Sequence, residues 1–349
     1  MIETTQGDLL LADAEAVVNT VNCVGVMGRG IALQFKKKYP ENFKQYKKLC
    51  DMKALVPGKM FVFDTGNMFN PRYVINFPTK RHWRGNSRIE DIESGLVALI
   101  EEVRTREIKS IAIPPLGSGL GGLDWQVVKP LITSAFEALP EVKVILYEPG
   151  QAPSAREMTK AVKTPNMTKG RAAMIGLMRK YRAAAMDPEI TLLEIHKLMY
   201  FMVAVGEPIR NMKYKKGPYG PYSENLHHVL NTTEGHFTLG FADGGEKPDK
   251  PLTILDGAIE KAEQALEAES QTHENFSRVT DLIAGFETPF GMELLATVHW
   301  VASEDGACNS REALKCIGEW SPRKRELFTE RHVDIAWDIL QQHELVKVN

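Results

Sequence analysis

One loop constrains this chain more than any other: Pro115-Leu116-Gly117-Ser118-Gly119-Leu120-Gly121-Gly122-Leu123-Asp124-Trp125. The apolar run Ser110-Ile111-Ala112-Ile113 before it reads as a strand. Val127, Val128, Leu131, Ile132 and Phe136 after it recur at helical spacing. The loop holds four glycines between positions 117 and 122, more than a strand-to-helix turn needs. Glycines let a ligand approach the backbone, and N–H groups gathered at such a turn attract anions. The loop therefore predicts an α/β unit that holds phosphate.

The preceding residues fit such a unit. Strands are expected over 2–5, 16–21, 60–63, 73–77, 110–113 and 142–147. Helices are expected after Gly30, over roughly 41–50, behind Ser87-Arg88-Ile89-Glu90, which has the form of a capping box, and behind Asp124 as N-cap. Pro40 and Pro78 read as stops. The alternation gives a sheet covered by helices on both faces. Gly117, Gly119 and Gly122 also satisfy GxGxxG, with Glu148 downstream. A dinucleotide fingerprint belongs in the first strand-turn-helix of its domain, however, and this one comes last.

Composition narrows the classes. Hydrophobic residues at 43% and charged residues at 25% describe a soluble globular protein, long enough for two domains. The net charge of −2 leaves nucleic-acid contact to a local patch, and no membrane contact is expected. Four scattered cysteines without a CxxC, and the lack of a leader-like start, predict a cytoplasmic protein without disulfides or metal. No cofactor is expected. One basic patch in a loop is Thr79-Lys80-Arg81-His82-Trp83-Arg84-Gly85-Asn86, where Trp83 could stack on a base; otherwise it packs on the sheet edge.

Taken together, several segments resemble the macrodomain, the ADP-ribose-binding α/β fold, over residues 1–152. They are Gln6-Gly7-Asp8-Leu9-Leu10, Val18-Asn19-Thr20-Val21-Asn22, Gly28-Arg29-Gly30-Ile31-Ala32, Asn76-Phe77-Pro78-Thr79-Lys80 and the opening loop. Within that family they are most similar to the branch of terminal ADP-ribose glycohydrolases and DarG-type antitoxins. The resemblance implies that Asp8, with Gln6, Gly7 and Leu9, meets the adenine end. Pro115, Gly117, Ser118, Gly119, Leu120, Gly121 and Gly122 would cradle the diphosphate. Asn19, Thr20, Asn22, Gly28, Gly30, Ile31 and Thr79 would surround the distal ribose, with Lys80 and Asn22 catalytic. The terminal glycohydrolase pattern has an acidic residue where this chain has Gly121, which moves the chemistry onto Lys80. The DarG likeness implies ADP-ribosylated thymidine in single-stranded DNA as substrate and a DarT-like ADP-ribosyltransferase toxin as partner. A non-catalytic ADP-ribose reader is the competing expectation.

A polar, proline-bearing stretch over 153–168 reads as a linker, and 169–349 as a helical, toxin-binding domain. Helices are expected over 172–181, from Asp187-Pro188 to Gly206, from Thr288-Pro289, behind a Ser310 cap, and over 331–343. Lys197-Leu198-Met199-Tyr200 and Gly217-Pro218-Tyr219-Gly220-Pro221-Tyr222 resemble Panacea-type, SocA-like antitoxin domains. Residues 242–275 are acidic. They form either a solvated face or a surface that imitates nucleic-acid phosphates.

Overall fold

The computed structural model describes residues 1–67, 69–150, 164–185, 189–242 and 244–346. The chain divides into two compact units: Met1–Val162 with Ala242–Gly244, and Lys163–Phe241 with Gly245–Asn349.

The first unit contains β1 (Ile2–Thr5), a 3-10 turn at Leu9–Leu11, β2 (Ala16–Asn22), α1 (Gly30–Lys38), α2 (Pro40–Asp51), β3 (Phe61–Asp64), β4 (Tyr73–Lys80), α3 (Ile89–Thr105), β5 (Ser110–Ile113), α4 (Trp125–Phe136) and β6 (Lys143–Tyr147). The strands form one sheet in the order β1-β6-β5-β2-β4-β3, parallel except for the β3–β4 pair. A dinucleotide-binding sheet starts its strand order from a central first strand; here β1 lies at an edge.

Side chains alternate across the sheet. On β4, Tyr73, Ile75 and Phe77 join Ile92, Leu96 and Leu99 of α3 and Val128 and Ile132 of α4 in one core. Val74 faces the opposite layer with Val17 and Phe35. Farther along that layer, Val21, Met27 and Tyr46 pack together. Gly95 lets α3 close onto β4, since a Cβ there would sit 2.2 Å from the Phe77 ring.

Three local expectations are corrected. Pro40 opens α2 at its first position, where the missing N–H costs nothing. Pro78 lies within β4 and does not end it. Beyond Asn76, β4 has no partner on its β3 side, and its register with β2 shifts between Val21 and Asn22, so the ladder tolerates a residue without an N–H. Ser87 does not cap α3: Arg88 occupies the N-cap position, and Ser87 Oγ is buried without a hydrogen-bond partner.

The second unit contains α5 (Lys169–Ala185), β7 (Ile190–Thr191), α6 (Leu192–Ala204), β8 (Lys215–Gly217), β9 (Gly220–Tyr222), α7 (Glu224–Thr233), β10 (Thr238–Leu239), β11 (Pro251–Ile254), α8 (Ala258–Glu267), α9 (Ser270–Leu282), α10 (Pro289–Ser303), α11 (Ser310–Trp320), α12 (Pro322–Leu327) and α13 (Glu330–Gln342). The short strands form a β10-β11-β7 sheet and a β8–β9 hairpin, both missed by the helical reading. The Asp187-Pro188 start lies outside the described residues. Helix α6 begins at Leu192 behind a Thr191/Glu194 capping box, and Asn309 rather than Ser310 caps α11.

Helices α6 and α10 are buried on nearly every side, which marks them as central. Several of their polar residues are paired internally, as burial requires, although the His196 ring nitrogens and Trp300 Nε1 have no hydrogen-bond partner among the described residues. Lys324 Nζ donates to Glu293 Oε1 at 2.6 Å and to Thr297 Oγ1 at 3.1 Å, while Arg323 grips the same carboxylate at 2.7 and 3.0 Å. Lys197 Nζ donates to the Pro221 carbonyl at 2.7 Å, tying α6 to the Gly-Pro-Tyr hairpin.

Candidate active site

Because five adjacent strands run parallel, their carboxyl ends share one edge of the sheet, the edge at which α/β folds bind ligands. Four segments emerge there: Gln6–Asp8 after β1, Asn22–Arg29 after β2, Lys80 at the end of β4, and the glycine loop after β5.

The glycine loop is folded by its own backbone. Ser118 N donates to Pro115 O at 3.1 Å, Gly122 N to Gly119 O at 3.1 Å, and Leu123 N to Gly117 O at 3.0 Å. The Ser118 hydroxyl donates to Leu116 O at 3.3 Å. The amides of Gly119, Leu120 and Gly121 donate to no atom of the described residues. Three consecutive free N–H groups in a turn are the donors that an anion-binding nest requires. Helix α4 does not supply it, because the Asp124 carboxylate accepts from Gln126 N at 2.9 Å and so caps that helix.

Gly121 is buried, and a Cβ there would stand 2.3 Å from both Gly117 O and Ser87 Oγ. Ser87 N also donates to Gly121 O at 3.0 Å. No acidic side chain fits this position without rebuilding the loop. Gly117 and Gly122 have φ of +67° and +78°, a region that favours glycine.

The second loop is held by Asn22. Its Oδ1 accepts from Val24 N at 3.1 Å, Val26 N at 3.3 Å and Tyr46 Oη at 3.2 Å, and its Nδ2 donates to Val26 O at 2.5 Å. This side chain builds the loop and keeps one N–H over. The loop ends at α1, whose N-cap Arg29 makes no side-chain cap, leaving the first-turn amides without an intrahelical partner. Gly30 has φ +56°, and its missing Cβ would lie 3.6 Å from Leu120 Cδ1, so the two glycine-bearing loops meet. Gly28 is exposed and Ile31 half-buried beside it.

Lys80 joins them. Its ammonium donates to the Leu120 carbonyl. Burial, and then the nearby Arg29 charge, hold its pKa below the ordinary lysine value. Cys23 is not a competing nucleophile: burial and Cys50 push its thiol up to about 11, leaving it protonated at neutral pH.

Asn19 has a different place from the one expected. It is fully buried, and its Nδ2 donates to Asn76 Oδ1 at 2.9 Å; Asn76 in turn donates to Asn42 Oδ1 at 2.7 Å. This buried amide ladder braces β2, β4 and α2 and offers Asn19 no surface for a ligand. Thr79 is buried at the β4 irregularity, and Thr20 is half-buried on β2.

At the other end, Asp8 Oδ1 caps the 3-10 turn through Leu10 N at 2.9 Å, and Oδ2 accepts nothing from the described residues. Gln6 and Gly7 are exposed; Leu9 is a core side chain, which leaves only its backbone to a ligand. Arg29 and Ser87 were missed as site residues. Arg29 lies inside the Gly28-Arg29-Gly30 segment, but nothing in one sequence says its charge reaches Lys80. Ser87 looked like a cap. No group of acidic, histidine or cysteine side chains able to hold a metal occurs among the described residues.

Residues 18–132 match the Macro domain family. The DNA ADP-ribosyl glycohydrolase of Mycobacterium tuberculosis is 42% identical over 351 residues, covering 97% of this chain and 98% of that protein. The solved macrodomain of Mycobacterium tuberculosis DarG is 55% identical with a TM-score of 0.43, covering 43% of this chain and 99% of that one. A DNA ADP-ribosyl transferase–DNA ADP-ribosyl glycohydrolase fusion protein of Thermosipho africanus is 33% identical over 163 residues, covering 42% of each chain. The near full-length match at 42% identity makes the chain a member of the DarG-type DNA ADP-ribosyl glycohydrolase family.

Proposed function

We propose that the sheet-edge site releases ADP-ribose from thymidine in DNA, with Lys80 as the reacting group. The observation that carries this reading is the run of free amides at Gly119, Leu120 and Gly121, joined to Lys80 through the Leu120 carbonyl. In this reading the free amides and the uncapped start of α1 take the diphosphate. Asp8 Oδ2 accepts from the adenine amine. The distal ribose lies between the loops, with its anomeric carbon at Lys80.

The lowered pKa increases the neutral amine fraction at a given pH. That amine donates one N–H to Leu120 O and directs its lone pair to C1″. The bond between C1″ and thymine N3 breaks, and its electron pair leaves with the base. Thymine N3 gains the proton that the lysine sheds. Water then replaces Nζ at C1″, which restores the amine. An acid at position 121 is not required, because the base can accept hydrogen bonds at its carbonyl oxygens as it leaves.

The test is release of ADP-ribose from ADP-ribosylated DNA by wild type and Lys80→Ala. Wild type turns over, and the variant loses at least about 10²-fold in rate, the lower end of what proton-transferring or nucleophilic groups contribute. Wild type that binds ADP-ribose without turnover would make the domain a reader. An unimpaired variant would remove Lys80 from the chemistry.

The second unit is the part we assign to the toxin. Asp249, Asp256, Glu260, Glu263, Glu267, Glu269 and Glu274 are all exposed there, a charge pattern able to imitate DNA phosphates in a DNA-modifying enzyme. Full-length protein carrying Glu260→Lys and Glu267→Lys should lose affinity for a DarT-like toxin, measured by calorimetry. Unchanged affinity would move the contact elsewhere.

A further inference from the structure

Lys80 is followed by a tight turn whose residues the reaction does not use. Gly85 N donates to His82 O at 3.0 Å and closes a β-turn with Trp83 and Arg84 at its centre. Arg84 N also donates to His82 Nδ1 at 3.2 Å. The base of the turn is fixed by Arg81, whose guanidinium makes two bonds, at 3.1 and 3.0 Å, to the buried Asp91 carboxylate. Arg81 is thereby spent on structure.

Trp83 is not among the side chains packed into the clusters on the sheet. It is 43% exposed. Its ring stacks on His82 with centroids 5.6 Å apart and planes 27° apart, and the Arg84 guanidinium lies over the ring, 4.5 Å from its centroid, where an incoming base would take its place. Arg84 has no carboxylate partner among the described residues. An exposed indole held flat by a neighbouring ring, with an unneutralised cation over it that can swing to a phosphate, matches the stacking and phosphate contacts of single-strand binders. Three residues of chain put its Cα within about 11 Å of that of Lys80, which is the reach of an adjoining nucleotide.

We infer that Trp83 and Arg84 grip the nucleotide next to the modified thymidine, Trp83 by stacking on its base and Arg84 by pairing with its phosphate. This rests on the reading of the Lys80 site given above. The turn makes the enzyme select ADP-ribose carried on a single strand over the same group on a free nucleoside.

The test compares kcat/KM of the full chain on an ADP-ribosylated single-stranded oligonucleotide and on ADP-ribosyl-thymidine. Trp83→Ala lowers the oligonucleotide value about 5- to 150-fold, the fold-change equivalent of losing one base stack, and leaves the nucleoside value unchanged. Trp83→Phe restores most of the loss. Arg84→Gln flattens the salt dependence of oligonucleotide binding by about 0.7 in log–log slope. Equal losses on both substrates, or none on either, overturn the inference, as does a loss confined to toxin binding. Wild type inactive on both substrates breaks the underlying site reading instead.

Discussion

Burial pushes down the pKa of Lys36, Lys80, Lys197 and Lys324, and two of these, Lys197 and Lys80, stand in opposite surroundings. Lys197 is wholly enclosed in the second unit, its value lowered to about 7 by burial and then by Lys324. Its nitrogen is satisfied by the Pro221 carbonyl. Around it, Lys324, Glu293, Thr297 and Arg323 close their hydrogen bonds on one another. Lys80 is only partly buried and ends a strand at the carboxyl edge of a parallel sheet, beside amides that donate to no described atom. A perturbed lysine is therefore not by itself a functional signal. What distinguishes the two regions is whether the polar groups around the lysine are used up by the fold or left over.

The comparison can be broken at its strongest point by Glu293→Ala. Removing that carboxylate leaves Lys324 buried and uncompensated, which should cost the second unit about 3–5 kcal/mol. Chemical denaturation measures the loss, while ADP-ribose release per folded molecule should stay at the wild-type value. A fall in turnover matching the fall in stability would make the charge cluster part of the active machinery.

A smaller effect is expected on the open side. Gly121→Ala places a methyl against Gly117 O and Ser87 Oγ, both 2.3 Å away. Relieving that overlap distorts the cradle at a cost of about 1–3 kcal/mol. It should appear in calorimetry as weaker ADP-ribose binding with little change in global stability. Full wild-type affinity would show that the loop does not shape the ligand site.

A third expected effect is a slope. With a folded pKa near 7 against an ordinary 10.5, Lys197 stays neutral in the fold while the unfolded chain holds the proton. Its contribution to stability thus rises with pH between those values and falls away as pH drops toward 7. Lys197→Met should reduce the rise of stability with pH across that window. An unchanged slope would mean that Lys197 is charged in the fold.

Much of the first unit was legible because its signals are local. Strand–helix alternation, the glycine loop and the Asp124 cap depend on neighbours in sequence, and the structure has all three. The errors arose where distant neighbours decide. Pro78 survives in a strand because β3 is too short to reach it. Asn19 is enclosed because Asn42 and Asn76, far away in sequence, complete its ladder. Ser87 is drawn from capping duty to the underside of the glycine loop. In the second unit α5, α6, α10, α11 and α13 were legible from periodicity, whereas α7, α8, α9 and α12 were not placed. The pairing of Lys197 with Pro221 depends on how the hairpin packs against α6, although both residues lie in the motifs that stood out.

The most direct measurement is an amide chemical-shift titration of the full-length protein with ADP-ribose. The account predicts that Gly119, Leu120 and Gly121 shift most, together with Gly30, Ile31 and Ala32 at the start of α1, while amides around Lys197, Glu293 and Lys324 stay in place. Shifts concentrated in the second unit, with the glycine loop unmoved, would contradict it.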